Sequence, residues 1–366
     1  MALVYGLHDL ETQASEKIQS IGMTELRERL DMWNGEVSRV YNAIFGMFTR
    51  RDPQWNVNPQ TRVRLANRAK AQFVDENGVA KPQYQKGYVD QGFPLWRYEL
   101  AMGFTFEAMQ KATVQEYSDE LMRIMNGDMA ASMDLFWFTV FYGTNWTYAS
   151  TEDEFPDISV KAFANSDTET YIVRGQNDPQ TATHYKAQAA AISDAADPFP
   201  ADKDTMTSYA GTTANDRIVC FVGDATNVEN IRNLSGFFPI DRSQNITWSA
   251  NVSLTDPGAD IFLGMGDTVL GEHEDGITIV RKRDLPANYL VYFNLDAPEP
   301  IGIREDSDPA LQGLFNINAV ENAGNTLLSR YRRKIGFAPV NRTGVLVRRI
   351  GNASYAAPSP YDVIPG

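Results

Sequence analysis

The stretch that begins Thr113-Val114-Gln115-Glu116 and runs without a proline to Phe136-Trp137-Phe138 decides the fold of this chain. Its first and fourth residues have the spacing of a capping box, in which each side chain satisfies a backbone amide at the start of a helix. Gly143 supplies a stop signal. The pattern predicts one helix over 113–142, about 45 Å long at 1.5 Å per residue. Its apolar residues recur at helical spacing: Val114, Tyr117, Leu121, Ile124, Met125, Met129, Met133, Phe136, Trp137, Val140 and Phe141.

The two halves of this predicted helix differ in polarity. The first half carries Asp119, Glu120 and Arg123 between its apolar positions, so one face is expected in water. The second half is apolar on nearly all sides and is expected to be buried. We therefore interpret the helix as the spine of a domain, facing a sheet built from Ile158–Val173 and Val345–Ile350. The alternative is a long core helix of an ordinary enzyme. The predicted spine core consists of Met125, Met129, Met133, Phe136 and Phe141.

Composition narrows the function classes. A chain of 366 residues, 43% hydrophobic and 22% charged, predicts a folded protein with more than one lobe. The single cysteine, Cys220, excludes an intramolecular disulfide, and the three histidines are too far apart for metal-ligand spacing. We find no nucleophile-elbow or phosphate-loop motif, no signal peptide and no apolar run of membrane-spanning length. We therefore expect a protein that is not an enzyme, with no catalytic residue, cofactor, metal or membrane partner.

A basic segment stands out in a chain whose net charge is −14. Within Thr61–Arg97 only Asp75, Glu76 and Asp90 are acidic, and Asn77-Gly78 is a strong hairpin turn signal. The segment has too few large apolar residues for a core of its own. We predict a long hairpin within 56–98 that lies on a neighbouring acidic surface; a solvated loop is the alternative, which the length disfavours. Its basic residues are Arg62, Arg64, Arg68, Lys70, Lys81, Lys86 and Arg97.

The amino-terminal part predicts a polar arm over 1–22 followed by an amphipathic helix. The helix has one apolar stripe and a charged remainder, so it is expected to bury the stripe against another subunit or against its own chain. The stripe residues taken as inter-subunit contacts are Leu26, Leu30, Trp33, Val37 and Tyr41.

The remaining chain interleaves predicted strands and helices without the regular alternation of parallel βαβ units, so the class is α+β. Helices are predicted at His184–Ala196 and Ala225–Leu234. A basic run, Arg330 to Lys334, has two equal interpretations, either solubility or a patch facing another subunit or phosphate. Strands are predicted at Ile158–Val160, Tyr171–Val173, Ile218–Val222, Ile261–Leu263, Gly276–Val280, Tyr289–Phe293 and Gly344–Ile350.

The order of these elements resembles the major capsid proteins of tailed double-stranded DNA bacteriophages, which have the Hong Kong 97-type fold. The stretches that look most similar are Gly92-Phe93-Pro94-Leu95, Gly223-Asp224-Ala225, Leu290 to Pro298 and Arg332 to Phe337. The resemblance implies an N-terminal arm and helix over 1–55, an extended loop over 56–98 and a C-terminal tail over 357–366. It also implies a peripheral domain over 99–175 and 325–356, and an axial domain over 176–324.

The resemblance further implies a subunit that self-assembles into hexamers and pentamers of an icosahedral capsid enclosing double-stranded DNA. The implied partners are other copies, a portal protein and separate scaffolding or decoration proteins, in a virion assembled in the bacterial cytoplasm. Because the arm begins almost at Met1, a separate scaffolding protein or none is expected. No motif fixes a Lys–Asn crosslink. The acidic net charge disfavours sequence-specific DNA binding and would repel enclosed DNA from the wall. The alternatives are an encapsulin-like nanocompartment shell and an enzyme without a readable site.

Overall fold

The computed structural model describes residues 46, 48–64, 88–105, 111, 113–149, 157–176, 178–209, 211–239, 247–249, 252–253, 268–317 and 326–365. These residues form two compact units. The first unit holds the described residues of Leu95–Phe136 and Arg304–Gly336. The second unit holds those of Ile44–Pro94, Trp137–Ile303 and Phe337–Gly366.

Helices and strands are interleaved along the described residues, which confirms the predicted α+β class. The α-helices are α1 (Pro53–Val57), α2 (Val114–Phe141), α3 (Phe199–Thr207) and α4 (Ala225–Arg232). The strands of the first half are β1 (Thr49–Arg51), β2 (Gln60–Arg64), β3 (Tyr88–Gly92), β4 (Trp96–Thr105), β5 (Trp146–Ala149), β6 (Asp157–Val160) and β7 (Tyr185–Gln188). The later strands are β8 (Ile218–Val222), β9 (Phe237–Pro239), β10 (Thr247–Ser249), β11 (Val252–Ser253), β12 (Thr268–His273), β13 (Ile277–Arg281), β14 (Tyr289–Asn294), β15 (Ile301–Glu305), β16 (Phe315–Ile317), β17 (Thr326–Pro339) and β18 (Val345–Ile350).

The long helix α2 is confirmed within one residue at each end of its prediction. Its capping box is formed as expected. The backbone N–H of Thr113 donates to Glu116 Oε2 at 2.8 Å, and the backbone N–H of Glu116 donates to Thr113 Oγ1 at 3.3 Å. Two amides that a helix start leaves without intrahelical partners are thereby satisfied.

In the first unit, a three-stranded antiparallel arrangement packs on α2. Strand β4 pairs with β17 along its whole length, from Trp96 opposite Ile335 to Thr105 opposite Thr326, and β16 also pairs with β17. Side chains alternate between the faces of a strand. The even-numbered Tyr98 accordingly reaches α2 with its hydroxyl, while the neighbouring Arg97 and Glu99 are exposed. The buried apolar residues here are Ile124, Met125, Leu135, Phe136, Tyr331 and Ile335.

The second unit is built around a seven-stranded mixed sheet with the order β7-β18-β14-β8-β13-β12-β9. Every residue of β8 is buried, as its unbroken apolar sequence predicts. Helix α3 contributes Phe199 and Met206 to the core beside this sheet, and α4 contributes Val228 and Ile231. A smaller core lies at the root of the β2–β3 pair and consists of Trp55, Phe93, Ile158, Val160 and Ala338.

Two sequence predictions are wrong in this unit. The predicted helix His184–Ala196 contains instead the strand β7, which pairs in parallel with β18, because tertiary pairing and burial of Tyr185 override the helix propensity of its alanines. The sheet predicted to face the spine does not form either. Strand β18 pairs with β14 and β7. Within the segment Ile158–Val173, only Ile158–Val160 belongs to a strand, namely β6 (Asp157–Val160), which pairs with β5.

The C-terminal tail packs against the end of α2 within the second unit. The Tyr355 hydroxyl donates to the carbonyl oxygen of Phe141 at 2.6 Å, and the ring of Tyr361 stacks on that of Phe141 with centroids 5.4 Å apart. The Tyr289 hydroxyl donates to the carbonyl of Ala356 at 2.6 Å. The tail thus covers the aromatic end of the helix instead of extending away from it.

Candidate functional site

The base of the predicted hairpin is an antiparallel pair of strands. Gln60 of β2 lies opposite Gly92 of β3, and the register continues to Arg64 opposite Tyr88. The hairpin base is therefore confirmed, whereas the turn predicted at Asn77-Gly78 lies outside the described residues. The hairpin ends earlier than predicted, because Phe93 and Pro94 are buried in the chain's own core and Trp96 begins β4.

The predicted basic contacts of the hairpin have different outcomes. Arg62 is exposed on β2, and its Nε lies 2.9 Å from Oδ1 of Asp90 on the paired strand. For Arg64 the structure describes the backbone, which ends β2, but not the side chain. Arg97 lies on β4 in the first unit, with Nη2 3.3 Å from Glu99 Oε1 in the same strand. Arg97 therefore does not belong to the hairpin. The side chains of Arg64, Arg68, Lys70, Lys81 and Lys86 lie outside the described residues, as do Leu26, Leu30, Trp33, Val37 and Tyr41.

Phe48, the last apolar position of the predicted N-terminal helix, lies instead in a turn that leads into β1. The ring of Phe48 lies 4.4 Å from that of Phe293 and 5.9 Å from that of Phe221, measured between centroids. Strand β1 then pairs in parallel with residues 301–303 of β15. The Asp52 side chain accepts from the backbone N–H of Gln54 and caps α1. The Phe48 ring contacts and the pairing of β1 with β15 thus fix the position of this segment.

The basic run Arg330 to Lys334 has partners inside the first unit. Arg332 Nε donates to Glu99 Oε1 at 2.7 Å, which holds the pKa of the Glu99 carboxyl below its usual value. Lys334 Nζ lies 3.0 Å from Asp306 Oδ2. Burial raises the pKa of the Asp306 carboxyl, but its hydrogen bonds from the Asp308 amide and Lys334 outweigh that effect and lower it. At least two of these cations are therefore held by in-chain carboxylates, which neither sequence interpretation included.

Arg333, from the same run, is buried in the centre of the unit. Its Nη1 donates to Asp128 Oδ2 at 2.7 Å, and its Nη2 lies 3.7 Å from Glu305 Oε1. The Tyr98 hydroxyl donates to the other oxygen of Asp128 at 2.7 Å and lies 2.9 Å from Ser132 Oγ. Asp128 is fully buried, so this network joins β4, β17 and α2 through charge-assisted hydrogen bonds.

A second buried arginine, Arg342, occupies the second unit. Its Nε donates to the carbonyl of Ala162 at 2.6 Å, and its Nη1 donates to the Tyr171 hydroxyl at 2.8 Å. Its Nη2 donates to Asp167 Oδ2 at 2.7 Å. Burial raises the pKa of the Asp167 carboxyl, but hydrogen bonds from Arg342 and Asn145 outweigh burial and the net pKa is lowered. Sequence reasoning missed this arginine because no local pattern marks a buried cation.

Two buried histidines also belong to the second unit. His184 Nδ1 lies 2.7 Å from the carbonyl oxygen of Val345, and its Nε2 lies 2.8 Å from the Tyr209 hydroxyl. Burial lowers the pKa of His184 to about 4, so the ring is neutral at pH 7, donating from Nδ1 to the carbonyl and accepting from Tyr209. His273 lies between two aspartates: its Nε2 is 3.0 Å from Asp197 Oδ2, and its Nδ1 is 3.1 Å from Asp275 Oδ2. Both side chains serve packing and hydrogen bonding inside the unit.

The predicted spine core is partly buried. Met125, Phe136 and Phe141 are buried, whereas Met129 and Met133 are half-buried. Within the described residues, no group of three or more metal-ligating side chains comes together. The helices of that same part of the chain include none long and apolar enough to cross a membrane.

No protein-family model and no curated protein sequence matches this chain. Solved structures do match it. A chain of Mycobacterium phage Patience has a TM-score of 0.67 at 16% identity, covering 95% of this chain and 94% of that one. A chain of the bacteriophage PhiM1 mature capsid has a TM-score of 0.50 at 9% identity, covering 85% and 88%. The capsid of Ralstonia phage GP4 gives a TM-score of 0.50 at 11% identity, covering 86% and 88%.

The chain has the fold of phage capsid proteins. The fold that the sequence resemblance implied is thereby confirmed. In this capsid-protein fold, the hairpin root and the two arginine networks are the parts that the described residues define most fully. The sequence identified the first of them through its basic composition and its turn signal. It gave no signal for the networks, because each joins residues that lie far apart in the chain.

Proposed function

We propose that this chain is a structural subunit that assembles with copies of itself into the hexamers and pentamers of an icosahedral phage capsid enclosing double-stranded DNA. The observation that carries the proposal is the capsid-protein fold, shared over 95% of the chain with the Patience structure. Two further matching structures are capsids of bacteriophage PhiM1 and of Ralstonia phage GP4. Self-association, a place in the virion and the absence of catalysis all follow from this role.

The hairpin supports the proposal in a second way. It begins from a rigid base, and its sequence is basic in a chain of net charge −14. A basic extension can be attracted by acidic surfaces on other copies, since complementary charge favours and orients association. We propose that Arg62, Arg64, Arg68, Lys70, Lys81 and Lys86 serve these contacts together with the stripe Leu26, Leu30, Trp33, Val37 and Tyr41.

Further parts of the proposal concern partners and domains. A portal protein and separate scaffolding or decoration proteins would complete the particle, which would be assembled in the cytoplasm of the bacterial host. The DNA would be enclosed without sequence-specific binding, because the acidic chain repels phosphate on average. The terms peripheral domain (99–175 and 325–356) and axial domain (176–324) describe positions in a shell and remain part of the proposal.

Electron microscopy of the purified recombinant chain tests this function. We expect closed shells of uniform size with fivefold and sixfold clusters. Mass spectrometry of the shells should find no co-purified enzyme cargo, which an encapsulin-like compartment would enclose. A chain that stays monomeric across concentration and salt would contradict the proposal.

A variant with Asp75–Pro82 deleted sharpens the test. It should remain soluble and folded but assemble poorly, because the deletion removes the proposed hairpin contact. A matched control replaces the same segment with Gly and Ser at unchanged length, which separates loss of contacts from shortening. Normal shell yields from the deletion would argue against a role for the hairpin in assembly.

A further inference from the structure

Strand β1 and the base of the hairpin share one cluster of side chains in the second unit. Trp55 of α1 stacks on Phe93, with ring centroids 4.5 Å apart and planes 16° apart. Both rings are buried, and the backbone N–H of Phe93 donates to the carbonyl of Pro59 at 2.8 Å. Because Trp55 lies between β1 and β2 while Phe93 directly follows β3, the ring stack ties the two ends of the hairpin to the end of β1.

Gly302 of β15 lies directly beneath this ring stack. It pairs with Arg50 of β1 in the parallel ladder. A Cβ atom at Gly302 would lie 2.5 Å from Phe93 Cε1 and 2.7 Å from Trp55 Cζ3, closer than real Cβ contacts come. It would also lie 2.7 Å from Val340 Cγ2. The backbone of Gly302 does not have the positive φ that favours glycine, so the requirement there is for space and not for conformation.

The hairpin base is tight on its other side as well. A Cβ atom at Gly92 would lie 2.3 Å from Ile158 Cγ2 and 2.4 Å from the carbonyl oxygen of Ser159 in β6. The buried Gln91 side chain donates to the carbonyl of Lys161 at 3.3 Å. Strand β3 is thus fixed against β6 while its following residue, Phe93, is fixed by Trp55 and Gly302. These contacts therefore fix the position of the hairpin base.

We propose that Gly302 is a positioning residue for assembly: its missing side chain lets Trp55 and Phe93 close over β15, so β1 and the hairpin base are held by one shared anchor. This inference rests on the proposed capsid function, in which the hairpin contacts other copies. A displacement of either ring moves the other, because they stack face to face over the same glycine. The positions of the hairpin base and of β1 are therefore coupled.

The variant Gly302→Ala tests the anchor. Hydrogen–deuterium exchange of unassembled subunits should rise together in residues 48–64 and 88–94, and remain unchanged in β8 and β14. Overpacking of a closed site shifts a packing equilibrium by about tenfold or more, so shell formation should slow by about that factor. Exchange that rises in only one of the two segments, or shell formation at the parental rate, would overturn the proposal.

Two controls separate positioning from general destabilisation. Gly127→Ala adds the same methyl group where the nearest atom, Leu100 Cδ2, is 3.6 Å away, so it should exchange and assemble like the parent. Val228→Ala makes a cavity in the core of the seven-stranded sheet. It should lower the melting temperature without slowing assembly or changing exchange in 48–64 and 88–94. Equal slowing of assembly by Val228→Ala would overturn the positioning role.

A further variant keeps the test decisive if Gly302→Ala aggregates. Phe93→Leu removes the ring stack without adding atoms, and it should raise exchange in the same two segments. Unchanged exchange in 48–64 for this variant would overturn the coupling. Failure of the parent chain to form shells would instead contradict the proposed function, and the exchange measurements on subunits would still decide whether the anchor is shared.

Discussion

Arg333 in the first unit and Arg342 in the second are both buried, yet their surroundings differ. Arg333 is surrounded by side-chain charge, since Asp128 is fully buried and Glu305 is buried beside it. Arg342 makes much of its contact with backbone carbonyls and a hydroxyl, and its carboxylate partner Asp167 keeps 14% of its side chain in water. Removing Arg333 would strand buried negative charge, whereas removing Arg342 would leave a carboxylate that solvent and Asn145 can still stabilise.

The two units also differ in the interactions that hold their sheets and helices together. The second unit has a large apolar core around its seven-stranded sheet, which supplies stability in proportion to buried area. The first unit has fewer buried apolar residues among those described, and its sheet is matched to α2 by directional hydrogen bonds to Asp128. Such a network favours one register of helix against sheet, because a shift by one residue would separate the charges.

The largest effect is expected from Arg333→Met. Breaking a buried ion pair on one side costs about 3–5 kcal/mol, because the remaining charge loses its partner. Thermal and chemical unfolding should show this loss. The triple variant Arg333→Met, Asp128→Asn, Glu305→Gln should recover most of it, since none of the three charges of this network remains. A single variant that is as stable as the parent, or a triple variant no better than the single one, would contradict the role given to this network.

The second-largest effect is expected from acid, which should lower the free energy of unfolding of the second unit through its buried histidine. The histidines that the structure describes, His184 and His273, both lie in the second unit. Burial, with smaller effects from Lys186 and Arg342, lowers the pKa of His184 from 6.5 to about 4. Because the pKa of His184 is lower in the folded chain than in the unfolded chain, protonation favours the unfolded state. The contribution of His184 to the free energy of unfolding is therefore complete above pH 6.5 and is lost as the pH falls towards 4. The loss amounts to about 3 kcal/mol at 1.36 kcal/mol per pKa unit.

His184→Gln provides the comparison for this pH dependence. The variant lacks a titrating imidazole, so its free energy of unfolding should fall less steeply than that of the parent between pH 6.5 and pH 4. Denaturant midpoints at several pH values measure both slopes. Parallel slopes for parent and variant would show that His184 does not govern the acid sensitivity.

Arg342→Met should cost less than the Arg333 variant. The lost partners are two backbone carbonyls, the Tyr171 hydroxyl and the carboxylate of Asp167; the carbonyls are those of Ala162 and Phe163. Each unsatisfied buried group costs about 1–3 kcal/mol when solvent cannot replace the bond. Because Asp167 reaches water, we expect a total of about 2 kcal/mol, measured by urea unfolding. Asn145→Ala, which removes one donor to Asp167 and the acceptor of the Ala162 backbone N–H, should cost less still. A loss equal to that of Arg333→Met would remove the contrast between the two arginines.

These networks also show where sequence reasoning succeeded and where it stopped. Periodicity and capping identified α2, apolar runs identified β8 and β14, and the shorter run Val345-Leu346-Val347 identified β18, because those signals are local. The alanine-rich segment after His184 was misjudged, because pairing with β18 decided its structure and that partner lies far along the chain. No local signal pointed to the buried contacts of Arg333 and Arg342, since the carboxylates that accept their hydrogen bonds, Asp128 and Asp167, are more than 170 residues away from them in the chain.

An exposed arginine completes the comparison and is expected to give the smallest effect on stability. Arg62 and Asp90 form an ion pair with 73% and 55% of their side chains exposed. Such pairs contribute about 0–1 kcal/mol, so Arg62→Ala should leave the melting temperature almost unchanged. If Arg62 contacts other copies as proposed, the same variant should nevertheless slow shell formation, most strongly at low salt where charges are least screened. Arg123→Ala is the matched control, because Arg123 forms a similarly exposed pair with Glu120 on α2 and is not among the proposed contact residues. Light scattering across a salt series measures both variants. Equal assembly of the Arg62 and Arg123 variants at low salt would remove Arg62 from the proposed contacts, and the hairpin's role would then rest on its other basic residues.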